Sequence, residues 1–412
     1  MKTTLIRKSI NDITYLLFIS LLVRILFIIF FPKDAISVDL LAWNQVAHEL
    51  SLGNNPYHTT ALLNWPPIWI QIIFCLSKIS GIVNIPLTHA IQFFDITIES
   101  LSLIVTYFSI CHYYPQALAK KILLFGVSLN PISVFQVCQH GNFDVLVGLW
   151  VVLLVYYILS YLRDANSLDW MLACMFLGLG IVTKTTPIML LPLCLLRSNC
   201  LHWKVKLIGA VLIILPVSIG MGVIYTLTPE DVAIKVLSYR SGAGWFGITG
   251  ILRLIPNWGQ ILMLFYVKFS SFGILAFLAY MIRYSLKQDT ISQLQAIWLS
   301  ILPFISVVTF GPGYAPQYIE WFMPLLLLVY AAEDKKTKTS FELILWIAIA
   351  TYTIEYAFFP SHGSFLLKNN PSQVMQTLAI SLSSQTGQTL IRLPIFCCYV
   401  FLFQRGWRRL QS

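Results

Sequence analysis

Charge is scarce in this chain. Only 11% of its 412 residues are Asp, Glu, Lys or Arg, against about 25% in average soluble chains. With 58% hydrophobic residues, a soluble enzyme of this size could not hide its apolar surface, which leaves a polytopic membrane protein. Metal-ligand spacing is missing as well: the seven histidines are scattered, no two of them three or four apart on a helix. The eight cysteines lie mostly in apolar runs, Cys174, Cys194, Cys397 and Cys398 among them, and form no disulfide framework. No metal or other cofactor is expected. A small-residue cleavage site does not follow Lys2, Arg7 and Lys8, so the apolar run to Phe31 is expected to remain as the first span. Internal repeats, low-complexity tracts and Asn-x-Ser/Thr signals are absent too.

Acidic residues are few, 17 against 27 Lys and Arg. The excess of +10 does not require nucleic acid, because its distribution is a topology signal. An all-α bundle of about twelve spans with a cytoplasmic N-terminus places Lys2/Arg7/Lys8, Lys120/Lys121, Arg163, Arg197/Lys204/Lys206, Arg283/Lys287, Lys335/Lys336/Lys338 and Arg405/Arg408/Arg409 on the inner face. The expected spans lie near 13–31, 88–112, 119–137, 144–162, 170–184, 186–197, 207–227, 259–282, 292–310, 318–332, 341–358 and 385–404, the short pair 170–184 and 186–197 reading as a thin hairpin with Lys184 at its outer tip. The apolar stretch 66–79 is too short for a full span of ~20 residues. If it crossed, every later loop would invert, so it reads as a surface or re-entrant helix of the first outer loop. The Pro66-Pro67 pair suits the start of such a helix.

Four outer segments then stand out: 32–87, 137–144, 227–258 and 311–318. The first carries Asp39, with Trp43, Tyr57, Trp65 and Trp69 after it. Asp39 is either a solvated helix-start acid or a base; the rings either belong to an aromatic belt or stack on a sugar. The second reads Gln139-His140-Gly141-Asn142-Phe143-Asp144, preceded by Asn130-Pro131 within a span. It is a helix-capping turn or a set of ligand-binding groups in which His140, Asn142 and Asp144 face a substrate. Lys184 lies off the positive-inside pattern and either snorkels to headgroups or meets a phosphate. In the third loop Arg240 precedes Gly242, Gly244 and Gly247 and suits a phosphate oxygen pair; no strand precedes these glycines, which excludes a nucleotide-binding loop. The turn Gly311–Tyr318 closes a cavity or simply joins two spans. Inside the spans, Arg24 and Asp95 lie at equal depth and read as a structural pair, with Glu99 one turn deeper.

Taken in order, Asp39, Asn55-Pro56-Tyr57, Trp65-Pro66-Pro67, Asp95, Asn130-Pro131, Gln139-His140-Gly141-Asn142, and Lys184 before Pro187 and Leu191-Pro192 resemble the GT-C superfamily of polyprenyl-phosphate-sugar-dependent membrane glycosyltransferases. The resemblance covers the first two-thirds of the chain. It implies a GT-C-like catalytic module in residues 1–258 and variable helices in 259–412. It further implies an inverting hexosyl transfer, mannosyl or glucosyl, from a polyprenyl-phosphate-sugar to a glycan or glycolipid acceptor, without nucleotide. Asp39 takes the part of general base, Arg240 and Lys184 hold the donor phosphate, and Tyr57, Trp65, His140, Asn142 and Asp144 contact substrate. The lone Asp144 beside Asn142 departs from members with paired acids there and argues against metal dependence. A bacterial inner membrane is expected over the endoplasmic reticulum. Two other classes stay open: a flippase of a lipid-linked sugar, which intramembrane charges would suit, and a noncatalytic assembly subunit.

Overall fold

A computed structural model of the chain describes residues 2–31, 37–60, 63–227, 235–236, 243–288, 290–313, 316–362, 364–367 and 371–411. The described residues form helices and no strand. In chain order these are α1 (Lys2–Phe30), α2 (Val38–Ser51), α3 (Pro56–Thr59), α4 (Ile68–Val83), α5 (Leu87–Cys111), α6 (Gln116–Leu123), α7 (Pro131–Val134), α8 (Asp144–Asp164), α9 (Ser167–Thr183) and α10 (Leu191–Leu195). There follow α11 (Trp203–Leu227), α12 (Gly247–Arg253), α13 (Gly259–Leu286), α14 (Gln293–Phe310), α15 (Met323–Ala332), α16 (Lys335–Phe358), α17 (Gln373–Ser383) and α18 (Gln385–Gln411).

Eight of the helices are long and apolar enough to cross a membrane, and a bent pair adds a ninth. This is fewer than the twelve full spans expected. The expected spans at 170–184, 186–197 and 318–332 correspond to shorter apolar helices, Ser167–Thr183, Thr186–Leu195 and Met323–Ala332. Ten helical residues rise only ~15 Å, half of a ~30 Å hydrocarbon core. Proline accounts for part of the shortening: Pro187 and Pro192 sit in the first turns of successive short helices, where a missing N–H does no harm. The bent pair, Gln116–Ser128 with Pro131–His140, turns by 47° at Asn130-Pro131. There the Asn130 side chain accepts from the Ile132 N–H at 3.0 Å and restarts the helix.

The polarity of the bundle follows from contacts near α1. Asp12 meets Lys120 at 3.0 Å and Tyr107 at 3.3 Å, and Gln116 donates to Ser9. The start of α1, the end of α5 and the start of α6 therefore share one end. The far end of α1 leads to α2, whose Asn44 donates to Thr88 at the start of α5. Between them α4 begins against Trp43, through Trp69, and the chain enters α5 at the same end. The stretch 66–79 thus does not carry the chain across the bundle, in agreement with the parity argument.

Four apolar clusters form among the described residues, two of them large. The larger joins α8, α14, α15, α16 and α18. The smaller lies under α2, α3 and α4 and stacks Trp43, Trp65, Trp69 and Phe143. Tyr57 and Trp65 were expected to contact substrate. Both belong to this packed cluster instead, 2% and 7% exposed, and the Tyr57 hydroxyl donates to the Trp65 carbonyl. Their rings are the apolar filling that lets three short helices sit on the bundle's end, and among the described residues both are buried.

The expected Arg24–Asp95 pair is also corrected. Arg24 Nε donates to Glu99 Oε2 at 2.5 Å, while both Asp95 oxygens lack a hydrogen-bond partner among the described residues. Helical side chains lean toward their own N-terminus. Because α1 and α5 run antiparallel, Arg24 leans toward the Asp12 end and so meets the acid one turn further along α5. Equal depth of the backbones is therefore the wrong test for pairing.

Candidate functional site

The site is built on the turn between the bent span and α8. After the π-helical turn Phe135–His140, Gly141 adopts φ 60° and ψ 50°, a left-handed conformation that favours glycine. A Cβ there would lie 2.4 Å from Leu40 Cδ2, so glycine also admits the first turn of α2 against this loop. Asn142 then turns the chain, its Oδ1 accepting the Asp144 N–H at 3.1 Å as α8 begins.

Three side chains of the α2 segment lock onto the turn. Ser37 caps α2 by accepting from Leu40 N and donates its hydroxyl to the His140 carbonyl at 2.6 Å. Trp43 Nε1 donates to the Gly141 carbonyl at 3.1 Å. Asp39 Oδ2 lies 3.0 Å from His140 Nε2 and accepts the amide of Asn142. Its other oxygen, Oδ1, has no hydrogen-bond partner among the described residues, and the side chain keeps 18% of its surface exposed. Burial works against the Asp39 carboxylate. The hydrogen bond and charge of His140, followed by Asn142 and Lys184, outweigh it and hold the group below the usual carboxylate range.

Beside this lies a second constellation. Asp144 Oδ1 accepts from Lys184 Nζ at 2.6 Å and from Trp321 Nε1 at 2.9 Å. The ammonium sits 4.8, 5.2 and 5.5 Å from the ring centres of Trp321, Tyr318 and Phe143, a cage of the kind that stabilises a cation through the ring faces. Lys184 is thus anchored inside the protein by Asp144 rather than free at a hairpin tip.

The remaining contacts come from the end of α16, which sequence reading did not single out. Tyr356 Oη lies 2.5 Å from His140 Nδ1, and its ring stacks on Phe135. Its neighbour Glu355 holds Arg392 of α18 through two bonds of 2.8 and 2.9 Å, and Arg392 also donates to the Trp245 carbonyl. Gln139 donates to the His362 carbonyl at 2.7 Å, and the His362 ring packs 5.6 Å from His140. Glu355, an acid within an apolar run, was the one local signal that this segment needed a partner.

His362 is buried. Burial, then the nearby His140 and Arg392, push its imidazole well below the ordinary histidine value. The unfolded chain therefore gains a proton below about pH 6.5 that the folded chain does not. Stability present above that pH should fall as the medium is acidified toward the folded value, by up to about 1.4 kcal/mol per pH unit. Melting temperatures in detergent should drop more steeply for the wild type than for His362→Phe between about pH 7 and 5.5; equal slopes would show that His362 carries no such linkage.

The structure therefore brings Asp39, His140 and Asn142 together and sets Asp144 and Lys184 alongside. It places Tyr57 and Trp65 in the core, and Arg240 lies outside the described residues. Among the described residues no three His, Cys, Asp or Glu side chains are arranged to hold a metal ion. No protein-family model matches the chain, and no curated protein matches its sequence.

Proposed function

We propose that the chain is an inverting membrane glycosyltransferase that moves a hexose from a polyprenyl-phosphate-sugar to a glycan or glycolipid acceptor on the non-cytoplasmic face. The observation that carries this reading is the asymmetry of the Asp39 carboxylate: Oδ2 is held by His140 and Asn142, while Oδ1, on a side chain 18% exposed, has no hydrogen-bond partner among the described residues and is left for a proton donor. In the reaction Asp39 accepts the proton of an acceptor hydroxyl as that oxygen bonds to the anomeric carbon. The bond from that carbon to the phosphate oxygen breaks, and its electron pair leaves with the lipid phosphate. Lys184 contributes positive charge to the site, and Arg240 is assigned to the phosphate.

The test is a screen of extracted polyprenyl-phosphate-sugars with the purified protein in liposomes. Transfer of sugar to an acceptor without any nucleotide sugar is the expected result. The buried Arg24–Glu99 pair also suits a flippase. Movement of labelled donor between leaflets with no transfer product would replace the enzyme reading by that one.

The same reading puts the Asp12–Lys120 end of the bundle in the cytoplasm and the Asp39 end outside. In a cysteine-free background, a cysteine at position 120 should resist an impermeant reagent applied to intact cells, and one at the exposed Gly53 should react. The reverse pattern would invert the topology and the proposed site with it.

A further inference from the structure

We propose that Tyr356 is a positioning residue that selects the tautomer of His140 and, through it, the orientation of Asp39. The inference rests in part on the function proposed above, but its first test does not. A neutral imidazole has one N–H and one acceptor nitrogen, and the partner of each nitrogen decides which is which. Asp39 lies 3.0 Å from Nε2 as a carboxylate that can only accept, so Nε2 must carry the hydrogen. In the neutral ring Nδ1 is then the acceptor, and the group facing it at 2.5 Å is a hydroxyl able to donate, that of Tyr356. The three residues form one directed chain of hydrogen bonds, Tyr356 to His140 to Asp39.

Each member is held from outside the chain. Tyr356 is 0% exposed, stacked 5.1 Å from Phe135 at 9°. The adjacent Glu355 is pinned by Arg392, which prevents rotation of the end of α16. His140 is fixed through its carbonyl by Ser37, and Asn142 makes the second contact to Asp39 Oδ2. Without the tyrosine hydroxyl, Nδ1 could carry the hydrogen instead. Nε2 would then present a lone pair to the Asp39 carboxylate, and the two groups would repel. Asp39 would turn away from the position in which Oδ1 faces an acceptor.

The test uses the full chain in detergent or nanodiscs, with nitrogen-15 in its histidines. The His140 signals are assigned by their loss in His140→Gln. Wherever His140 is neutral, the wild type should show it only as the Nε2–H tautomer. Tyr356→Phe, which keeps the stacked ring, should introduce the Nδ1–H tautomer without moving the signals of the distant His112 and His202. A wild-type Nδ1–H tautomer, or an unchanged His140 spectrum in Tyr356→Phe, overturns the proposal whether or not the protein transfers sugar. The second arm is kinetic. Tyr356→Phe should lower turnover about tenfold, the rate equivalent of one net hydrogen bond, with donor binding unchanged. A normal turnover beside a changed tautomer would remove the tautomer from catalysis and overturn the link to Asp39. Should Tyr356→Phe not fold, the wild-type spectrum alone still decides the direction of the chain.

Discussion

Asn in place of Asp39 is expected to leave a folded protein that binds donor but transfers sugar about 10²–10⁴-fold more slowly, the range for loss of a general base. The substitution is informative because of how the carboxylate is held. The amide oxygen can occupy the place of Oδ2 and still accept from His140 and Asn142. The amide nitrogen then takes the place of Oδ1, which has no hydrogen-bond partner among the described residues. The group facing the acceptor hydroxyl changes from proton acceptor to donor while the shape of the site persists. Turnover measured with radiolabelled donor, beside equilibrium donor binding, separates the two effects. Wild-type turnover in Asp39→Asn would remove Asp39 from the chemistry and end the central claim.

Arg24→Leu is expected to destabilise the fold by about 3–5 kcal/mol, the cost of stranding one member of a buried ion pair. The guanidinium is fully buried and donates to Glu99, to Ser133 Oγ and to the carbonyls of Ser20, Val127 and Ser128. It thereby ties α1 to α5 and to the segment on both sides of the Asn130-Pro131 break. Replacing both Arg24 and Glu99 with leucine should cost less than the sum of the single changes, with a coupling of about 0.5–3 kcal/mol. Coupling between Arg24 and Asp95 should be smaller, since no hydrogen bond joins them. A thermal-stability cycle giving the larger coupling to Asp95 would restore the pairing by depth and refute the one described.

How much could be read from the chain alone differs from feature to feature. Long apolar runs announce α1, α5, α8, α11, α13, α14, α16 and α18, because a helix that meets lipid must be apolar along its whole length. The clustering of lysines and arginines gave the parity that keeps 66–79 from crossing, and the contacts of Asp12 and Asn44 agree with it. The short pair 170–184 and 186–197 already read as a thin hairpin, but apolarity alone does not report helix length, so 318–332 read as a full span where Met323–Ala332 is a short helix. Nor does it report which face of a helix meets which neighbour, and Arg24 was given the wrong acid for that reason. The turn 139–144 was legible because its polar groups are contiguous. Tyr356 was not, since it is an ordinary aromatic at a helix end and meets His140 across 216 residues of sequence. Trp65 and Tyr57 show the opposite error: aromatics beside a polar loop look like a binding surface, yet a small helical cap needs a core of its own.

Trp321 and Tyr356 both come from beyond residue 258, and both touch the site formed by the first part of the chain. The two parts therefore cannot diverge independently. A change in α16 that moves Tyr356 also shifts the group behind His140, and with it the contact to Asp39. The two parts are geared to each other through one helix end, and chimeras joined at residue 258 inherit that gearing along with the splice.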